Sequence, residues 1–211
     1  MTWLTKWGQA MINRLVVATK NIGKGEEFRE LLQGLAVEIE TLRDFPGFNL
    51  PPETGSTFAD NALFKARMTA SLTGLAALGD DSGLEVDFLQ GAPGIYSARF
   101  AGEPTDDGRN NAKLLHLLEG VPREKRTARF RCVLALVTAD GDTHLAEGTL
   151  EGLITTEPRG YQGFGYDPLF YLPEYGQTLA ELGPEIKNKL SHRARAVKDL
   201  WPILSRLWPA E

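Results

Sequence analysis

Hydrophobic residues follow two kinds of pattern along the chain, one typical of strands and one typical of helices. The order of these patterns predicts an α/β fold. Residues 14–18 form an apolar, β-branched run that is typical of a buried strand. Residues 26–35 and 57–72 place apolar side chains at helical spacing. Long strand patterns return at 126–138 and 143–150. Strand and helix patterns therefore alternate, as they do in an α/β protein.

The connections between these segments indicate a mixed sheet. The short turn at 139–142 joins the two long strands as a hairpin, so at least part of the sheet is antiparallel. Residues 42–56 are rich in Pro and Gly and are predicted to form a loop. Helical patterns at 105–118 and 191–207 complete the chain, and Ser191 is a suitable cap for the last helix. We expect a mixed sheet with flanking helices.

The bulk composition is that of one globular domain. The chain has 211 residues, of which 42% are hydrophobic, enough for a sizeable core. We expect residues 14–211 to form this domain and residues 1–13 to be a short extension rather than a signal peptide. The net charge of −5 argues against nucleic-acid binding. No apolar run reaches the ~20 residues that a membrane span needs. The single Cys132 excludes an internal disulfide, which fits a cytoplasmic protein.

Two adjacent carboxylates, Asp80 and Asp81, follow the apolar run at 75–78 and precede Ser82 and Gly83. We expect the strand to end at the carboxylates and to be followed by a turn at Ser82 and Gly83. Carboxylates at the end of a buried strand can hold a hard cation or activate a water. The alternative is a solvated acidic turn.

The turn between the first strand and the first helix is a second candidate site. Such a turn presents backbone N–H groups to an anion, and Lys24 adds a positive charge. The glycine spacing is not that of a P-loop. The alternatives are a phosphate site and an ordinary β–α turn. The residues of this turn are Thr19, Lys20, Asn21, Ile22, Gly23 and Lys24.

Polar residues around the second helix form a third candidate group. Asn61 and Lys65 are four residues apart and share one helix face, which is offset from the apolar stripe. Glu53 lies in the Pro-rich loop before this helix and is a candidate cation ligand. The three residues either face a cleft or form a solvated surface.

A segment rich in glycine and aromatic residues, at 163–168, is a fourth candidate. Phe164 and Tyr166 stand beside glycines, so their rings either stack on a base or plug the edge of the core. Asp167 could read the edge of such a base.

The start of the last helix carries an unusual positive charge. His192 and Arg193 follow the Ser191 cap, where the helix dipole disfavours a positive charge by roughly 0.3–1 kcal/mol. Lys187 lies just before them. This misfit indicates either an electron-rich ligand or acidic neighbours. The spacing of His and Cys residues does not fit a zinc site.

These segments, in this order, resemble the inosine triphosphate pyrophosphatase family, and the resemblance covers nearly all of residues 14–207. It rests on the segments LVVATKNIGK, ETGSTFADNALFKAR, GDDSGLEVDFLQGAPGIYSARFAG, GFGYDPLF and KNKLSHRARA. It implies an elongated, two-lobed α/β fold around a long mixed sheet, with the active cleft between the lobes. It also implies a homodimer that hydrolyses dITP, ITP or XTP to the monophosphate and pyrophosphate with Mg²⁺.

The resemblance further implies roles for the candidate residues. Asp81 would be the general base and a metal ligand, supported by Asp80, with Glu53 as the other metal ligand. Lys65 would contact a phosphate, and Ser82 would contact the nucleotide. Residues 19–24 would wrap the triphosphate. The base and sugar would pack on Phe164, Gly165, Tyr166 and Asp167. The 6-oxo group of the purine would be recognised by Lys187, His192 and Arg193.

Three other functions stay open at this point. The chain could be a Maf-like pyrophosphatase that acts on pyrimidine or modified nucleotides, but the SHR and GFGYDP segments argue against it. It could bind a nucleotide as a regulator without hydrolysis, but Asp80, Asp81 and Glu53 are all present. A structural or RNA-interaction protein is disfavoured by the isoelectric point of about 5.4.

Overall fold

A computed structural model describes residues 13–210. The predicted extension at 1–13 lies outside these residues, except for Asn13. The strands of the described part are β1 (Arg14–Val17), β2 (Glu38–Thr41), β3 (Ala76–Val86), β4 (Thr127–Val137), β5 (Thr143–Ile154), β6 (Phe170–Leu172) and β7 (Gln177–Thr178). The helices are α1 (Ile22–Leu31), α2 (Phe58–Thr73), α3 (Asp107–Leu117), α4 (Leu179–Leu182), α5 (Pro184–Leu190) and α6 (His192–Leu207). Short 3₁₀ turns lie at Asp87–Leu89, Gly94–Arg99 and Arg123–Lys125.

The strands form one mixed sheet in the order β2-β1-β3-β4-β5-β6-β7. β1 pairs in parallel with β2 and β3, whereas every later pair is antiparallel. The mixed sheet and flanking helices that the sequence predicts are therefore confirmed. The sequence pattern does not predict β2, because its four residues are too few to show a clear hydrophobic period.

β3 does not end at the carboxylates. It continues to Val86 and stays paired with β4, with Ser82 opposite Cys132 and Gly83 opposite Arg131. The expected turn at Ser82 and Gly83 is therefore wrong. Gly83 serves a close approach instead, because a Cβ atom there would collide with the Gly94 carbonyl oxygen and the Ser97 hydroxyl.

Helices cover both faces of the sheet at its β1 end. α1 and α6 enclose the first core cluster, in which Phe28 and Leu200 pack on Leu78 and Leu134. α2 covers the opposite face with its own smaller cluster. A second large cluster, around β6 and α3, fills the other end of the sheet. Among residues 13–210, no helix has both the length and the apolar character needed to cross a membrane.

The first helix starts earlier than its hydrophobic pattern suggests. α1 begins at Ile22 rather than at residue 26, because the Asn21 side chain caps it by accepting a hydrogen bond from the Lys24 amide at 2.9 Å. α6 begins as predicted, with the Ser191 hydroxyl accepting from the Ala194 amide at 3.1 Å. Both caps place chemistry-bearing residues in a first helical turn.

α6 packs directly on β5 at Gly148. A Cβ atom at this position would collide with the His192 carbonyl oxygen and the Ala196 amide nitrogen, which are backbone atoms that move only with the whole helix. We therefore expect Gly148→Ala to lower the free energy of unfolding by about 1–3 kcal/mol, as overpacking generally does. Urea denaturation measures this loss. Gly108→Ala on the exposed side of α3 is the control, and equal stability of the two variants would contradict the tight contact.

Candidate active site

One pocket brings together residues from four of the five candidate segments. It encloses about 130 Å³ between the β1–α1 turn, β3, the segment at 163–168 and the start of α6. The predicted residues that line it are Asn21, Lys24, Ser82, Phe164, Gly165, Tyr166, Asp167, Lys187, His192 and Arg193. Glu53, Asn61 and Lys65 do not line it and lie on the α2 side of the sheet.

The two carboxylates of β3 point to opposite faces of the sheet. Successive side chains of a strand alternate, and the contacts agree with this rule. Asp80 faces α1 and α6, where Lys24 lies 2.5 Å away. Asp81 faces α2, where Asn61 donates a hydrogen bond at 3.0 Å and Lys65 lies at 3.2 Å. The structure therefore corrects the prediction of one adjacent pair at the end of a strand.

An open strand edge connects the two faces. β1 pairs with β3 only as far as Leu78, where the Ala18 amide makes the last hydrogen bond at 2.8 Å. Within the described residues, no strand lies on this side of Asp80 and Asp81. A ligand that enters at the β1–α1 turn can therefore meet both carboxylates, in the crevice beyond the carboxyl ends of the parallel strands.

Asp80 is the buried counter-ion of two cations. Its carboxylate pairs with Lys24 at 2.5 Å and with Arg193 at 3.6 Å. It also accepts hydrogen bonds from the hydroxyl of Ser82 and, at 3.2 Å, from the thiol of Cys132. Burial opposes ionisation, but Lys24 and Arg193 outweigh it and hold the pKa of Asp80 well below its usual value. Asp80 therefore stays ionised at neutral pH.

Glu27 belongs to this buried network, although its sequence position indicated only a helix start. Its carboxylate accepts hydrogen bonds from Arg193 at 3.1 Å and from the Ser191 hydroxyl at 3.2 Å. It lies three residues after Lys24, on the same face of α1. That spacing is the one sequence signal that could have indicated it. Acidic neighbours thus neutralise Arg193, but inside the protein rather than at the surface.

Lys65 joins the carboxylates of Glu53 and Asp81 on the α2 side. Its ammonium nitrogen lies 2.9 Å from Glu53 and 3.2 Å from Asp81. Burial lowers the pKa of Lys65, but Asp81, Asp80 and Glu53 outweigh it, so the pKa is raised and the charge is kept. Burial and the charge of Glu53 raise the pKa of Asp81 against the opposing effect of Lys65.

Asn61 places the loop that carries Glu53. Its side-chain oxygen accepts from the Gly55 amide at 2.9 Å, while its nitrogen donates to Asp81 at 3.0 Å. The helix start is fixed by a capping box between Thr57 and Asp60. Asn61 and Lys65 are therefore buried and do not form a solvated surface.

The residues Glu53 and Asp81 fit a magnesium ion. Among residues 13–210, no cluster of three or more His, Cys, Asp or Glu side chains forms a complete metal cage. Mg²⁺ does not need one, because it usually takes one or two carboxylates and completes its shell with water and substrate phosphates. Both carboxylates pair with one cation, Lys65, and so lie close enough together to offer oxygens of the kind that Mg²⁺ takes.

The residues of the β1–α1 turn divide between the pocket and its surroundings. Asn21 and Lys24 line the pocket. Lys20 points away and donates to the Asn49 side chain at 2.6 Å. Thr19 accepts from the Asn21 amide at 3.1 Å and so shapes the turn. Gly23 lets the Phe164 ring approach, since a Cβ atom there would lie 3.0 Å from it.

The two aromatic residues of the segment at 163–168 have different surroundings. Tyr166 is buried in the second core cluster, and its hydroxyl donates to the Ser97 carbonyl at 2.8 Å. Phe164 instead lies against cations, with the Lys187 nitrogen 4.3 Å and the Arg193 guanidinium carbon 5.4 Å from its ring centre. Burial raises the pKa of Asp167, opposed by Lys187 at 2.7 Å.

His192 is neutral in this pocket. Its ring stacks on Phe130 with centroids 4.8 Å apart, and burial together with the charge of Arg193 holds its pKa well below the usual value. Within the described residues, its Nδ1 atom is buried and has no hydrogen-bond partner. A neutral imidazole suits the recognition of an uncharged group better than that of a phosphate.

Comparison with known proteins assigns the family, since the model of the Ham1 family matches residues 15–203. The chain belongs to the Ham1 family. A dITP/XTP pyrophosphatase of Desulforamulus reducens is 58% identical over 195 residues, which cover 92% of this chain and 97% of that protein. A dITP/XTP pyrophosphatase of Geobacter sulfurreducens is 54% identical over 186 residues, covering 88% and 94%. The solved structure of a HAM1 protein from Coxiella burnetii matches with a TM-score of 0.82 at 42% identity, covering 92% and 99%.

The family resemblance seen in the sequence is thereby confirmed. The similarity covers nearly the whole length of these relatives, so the pocket and the open strand edge lie within the shared fold.

Proposed function

We propose that this protein hydrolyses non-standard purine nucleoside triphosphates, namely dITP, ITP and XTP, to the nucleoside monophosphate and pyrophosphate. One observation carries the proposal: a single pocket joins the N-terminus of α1 and Lys24 to the buried cations Lys187 and Arg193. The first pair suits phosphates and the second suits an oxo group. The dITP/XTP pyrophosphatases named above support the same substrate class.

The triphosphate binds at the β1–α1 turn. The free N–H groups of the first turn of α1 and the helix dipole favour an anion there. Lys24 contributes a charge that Asp80 keeps in place at 2.5 Å. The anion then extends along the open edge of β3 towards Lys65, which provides a second cation. Residues 19–24 thus shape the phosphate site, although Lys20 points away from it.

The reaction takes place on the α2 side of this edge. Asp81 orients a water molecule and accepts its proton as that water attacks the α-phosphorus, and pyrophosphate leaves. Glu53 and Asp81 would hold Mg²⁺, which would supply charge neutralisation for the triphosphate. Lys65 and Asn61 fix the orientation of Asp81. Positioning and charge stabilisation provide most of the acceleration, as in other phosphoryl transfers.

The purine is read between Phe164 and the start of α6. Phe164, Gly165, Tyr166 and Asp167 form the wall beside the base, and Ser82 lies between base and phosphates. Lys187 and Arg193 donate to the 6-oxo group of inosine or xanthosine. An adenine amino group at this position cannot accept, so buried donors are left without partners. Sites of this kind discriminate strongly between oxo and amino groups.

We expect Arg193→Lys to reduce the preference for dITP over ATP by about 10- to 100-fold in kcat/KM, which is the range for losing one charge-assisted pair. The lysine keeps a positive charge for Glu27 and Asp80 but lacks the guanidinium fork. Arg195→Lys is the control, because among residues 13–210 Arg195 donates only to the Leu190 and Thr149 carbonyls. An unchanged preference in Arg193→Lys would contradict this reading of the base.

Product formation from dITP, XTP, GTP, ATP and dTTP with Mg²⁺ tests the proposed function. Pyrophosphate and phosphate are detected separately. We expect fast pyrophosphate release from dITP and XTP and slow release from the standard nucleotides. Preference for dTTP would favour the Maf-like activity, and binding without turnover would favour a regulator.

The proposal includes the organisation that the family resemblance implies. We infer a single domain over residues 14–211 that acts as a homodimer on the cytoplasmic nucleotide pool. Light scattering coupled to size-exclusion chromatography measures the oligomeric state, and a monomeric mass would contradict the homodimer.

A further inference from the structure

Two side chains of α3 form hydrogen bonds with both backbone polar groups of Gly165, in the segment at 163–168. The Gly165 amide donates a hydrogen bond to the Asp107 carboxylate at 2.7 Å. The side-chain nitrogen of Asn111 donates to the Gly165 carbonyl at 3.0 Å. Asp107 and Asn111 are four residues apart and therefore lie on the same face of the helix. Both peptide groups that flank the Gly165 α-carbon are thus fixed from one helix.

The same helix holds the neighbouring wall of the pocket. The buried Asn110 accepts from the Ala101 amide at 2.7 Å and donates to the Ala98 carbonyl at 3.0 Å. The hydroxyl of Tyr166 donates to the Ser97 carbonyl at 2.8 Å. The segments at 97–101 and 164–166 are therefore tied to each other and to α3.

Gly165 needs such a restraint. Its φ of +62° lies in the left-handed region, and a Cβ atom at this position would meet nothing within 4 Å, so no neighbour packs on that side of the α-carbon. Phe164 and Tyr166 are attached to its two sides. Rotation of the peptide groups at Gly165 would therefore move the Phe164 ring away from Lys187 and Arg193.

We propose that Asp107 and Asn111 are positioning residues for purine binding. By holding Gly165, they keep Phe164 at the cations before the nucleotide arrives, so that binding does not have to order this segment. Neither residue accepts a proton or contacts the phosphates in this role. The inference rests on the proposed function, since it concerns how that pocket receives its base.

The test compares three variants of the full chain in steady-state hydrolysis of dITP with Mg²⁺. Asp107→Ala removes the acceptor for Gly165. It is expected to raise KM about three- to tenfold, the equivalent of one hydrogen bond, with kcat within about twofold of the wild type. Asp107→Asn keeps an acceptor oxygen and is expected to restore the wild-type KM. Asp106→Ala removes the α3 cap, which accepts from the Arg109 amide at 2.7 Å, and is expected to leave KM unchanged.

Asn111→Ala removes the second hydrogen bond to Gly165 and so tests the same restraint from the carbonyl side of that residue. Because both side chains act on Gly165, the double variant with Asp107→Ala is expected to raise KM by less than the product of the single effects. Hydrogen exchange of the peptide covering 163–167 in the free protein is expected to be faster in Asp107→Ala and unchanged in Asp107→Asn.

The outcomes separate this inference from the proposed function. If the wild type hydrolyses dITP but Asp107→Ala keeps a wild-type KM, the positioning role is wrong and the function stands. An equal rise of KM in Asp106→Ala would assign the effect to helix stability and overturn the inference. If the wild type turns over no purine triphosphate, the proposed function and the positioning role of Asp107 and Asn111 in purine binding are both wrong, whatever the exchange rates show.

Discussion

Replacing Asp81 with Asn is expected to reduce kcat for dITP by about 10²- to 10⁴-fold, the usual contribution of a general base. Asparagine has nearly the same size, and its single side-chain oxygen can keep the hydrogen bond from Lys65, whereas the bond from Asn61, which reaches the other oxygen of Asp81, is lost. It cannot accept the proton of the attacking water. Substrate binding relies on Lys24 and on the start of α6, so KM is expected to change little.

Steady-state kinetics of Asp81→Asn, with saturating Mg²⁺, measures this split between kcat and KM. Asp87→Asn is the matched control, because Asp87 is an exposed carboxylate whose hydrogen bonds, within the described residues, go to Thr127 and Arg129 alone. Its kcat is expected to stay at the wild-type value. A near-normal kcat for Asp81→Asn would show that another group accepts the proton.

Replacing Asp80 with Asn is expected to reduce stability as well as activity. The variant would leave Lys24 and Arg193 without their shared counter-ion, and Arg193 is buried. Removing one partner of a buried ion pair costs about 3–5 kcal/mol. Because Lys24 and Arg193 then lose their positions, phosphate and base binding are both expected to weaken.

The stability difference has a defined pH dependence. The pKa of Asp80 in the folded protein is depressed well below its usual value of 3.8. Its contribution to stability is therefore fully present above pH 3.8 and is lost as the pH falls towards the folded pKa. Urea denaturation of Asp80→Asn and wild type at pH 7 and in acid measures this convergence. Asp140→Asn, in the exposed β4–β5 turn, is the control, and equal stability at pH 7 would contradict the counter-ion role.

The long elements could be predicted from the sequence because their side chains repeat a clear period. β4, β5 and α6 show strong apolar patterns, and Ser191 identifies the start of α6. β3 was harder, because Ser82 and Gly83 are typical of a turn and only the pairing with β4 extends the strand. That extension decides the site, since it sends Asp80 and Asp81 to opposite faces.

Two residues outside the predicted set act through contacts between distant parts of the sequence. Glu27 meets Arg193 across 166 positions of sequence, and Asp107 meets Gly165 across 58. Neither local periodicity nor a short motif carries such pairs. The family resemblance predicts a set of site residues, but the partners of these side chains depend on how α1, α3 and α6 pack on the sheet.

The attack of water on the α-phosphorus is tested most directly by hydrolysis of dITP in ¹⁸O-labelled water. Mass spectrometry of the products locates the oxygen that comes from the attacking water. We expect the label in deoxyinosine monophosphate and unlabelled pyrophosphate. Label in the pyrophosphate, or release of labelled inorganic phosphate, would place the attack at another phosphorus and contradict the arrangement described for the open edge of β3.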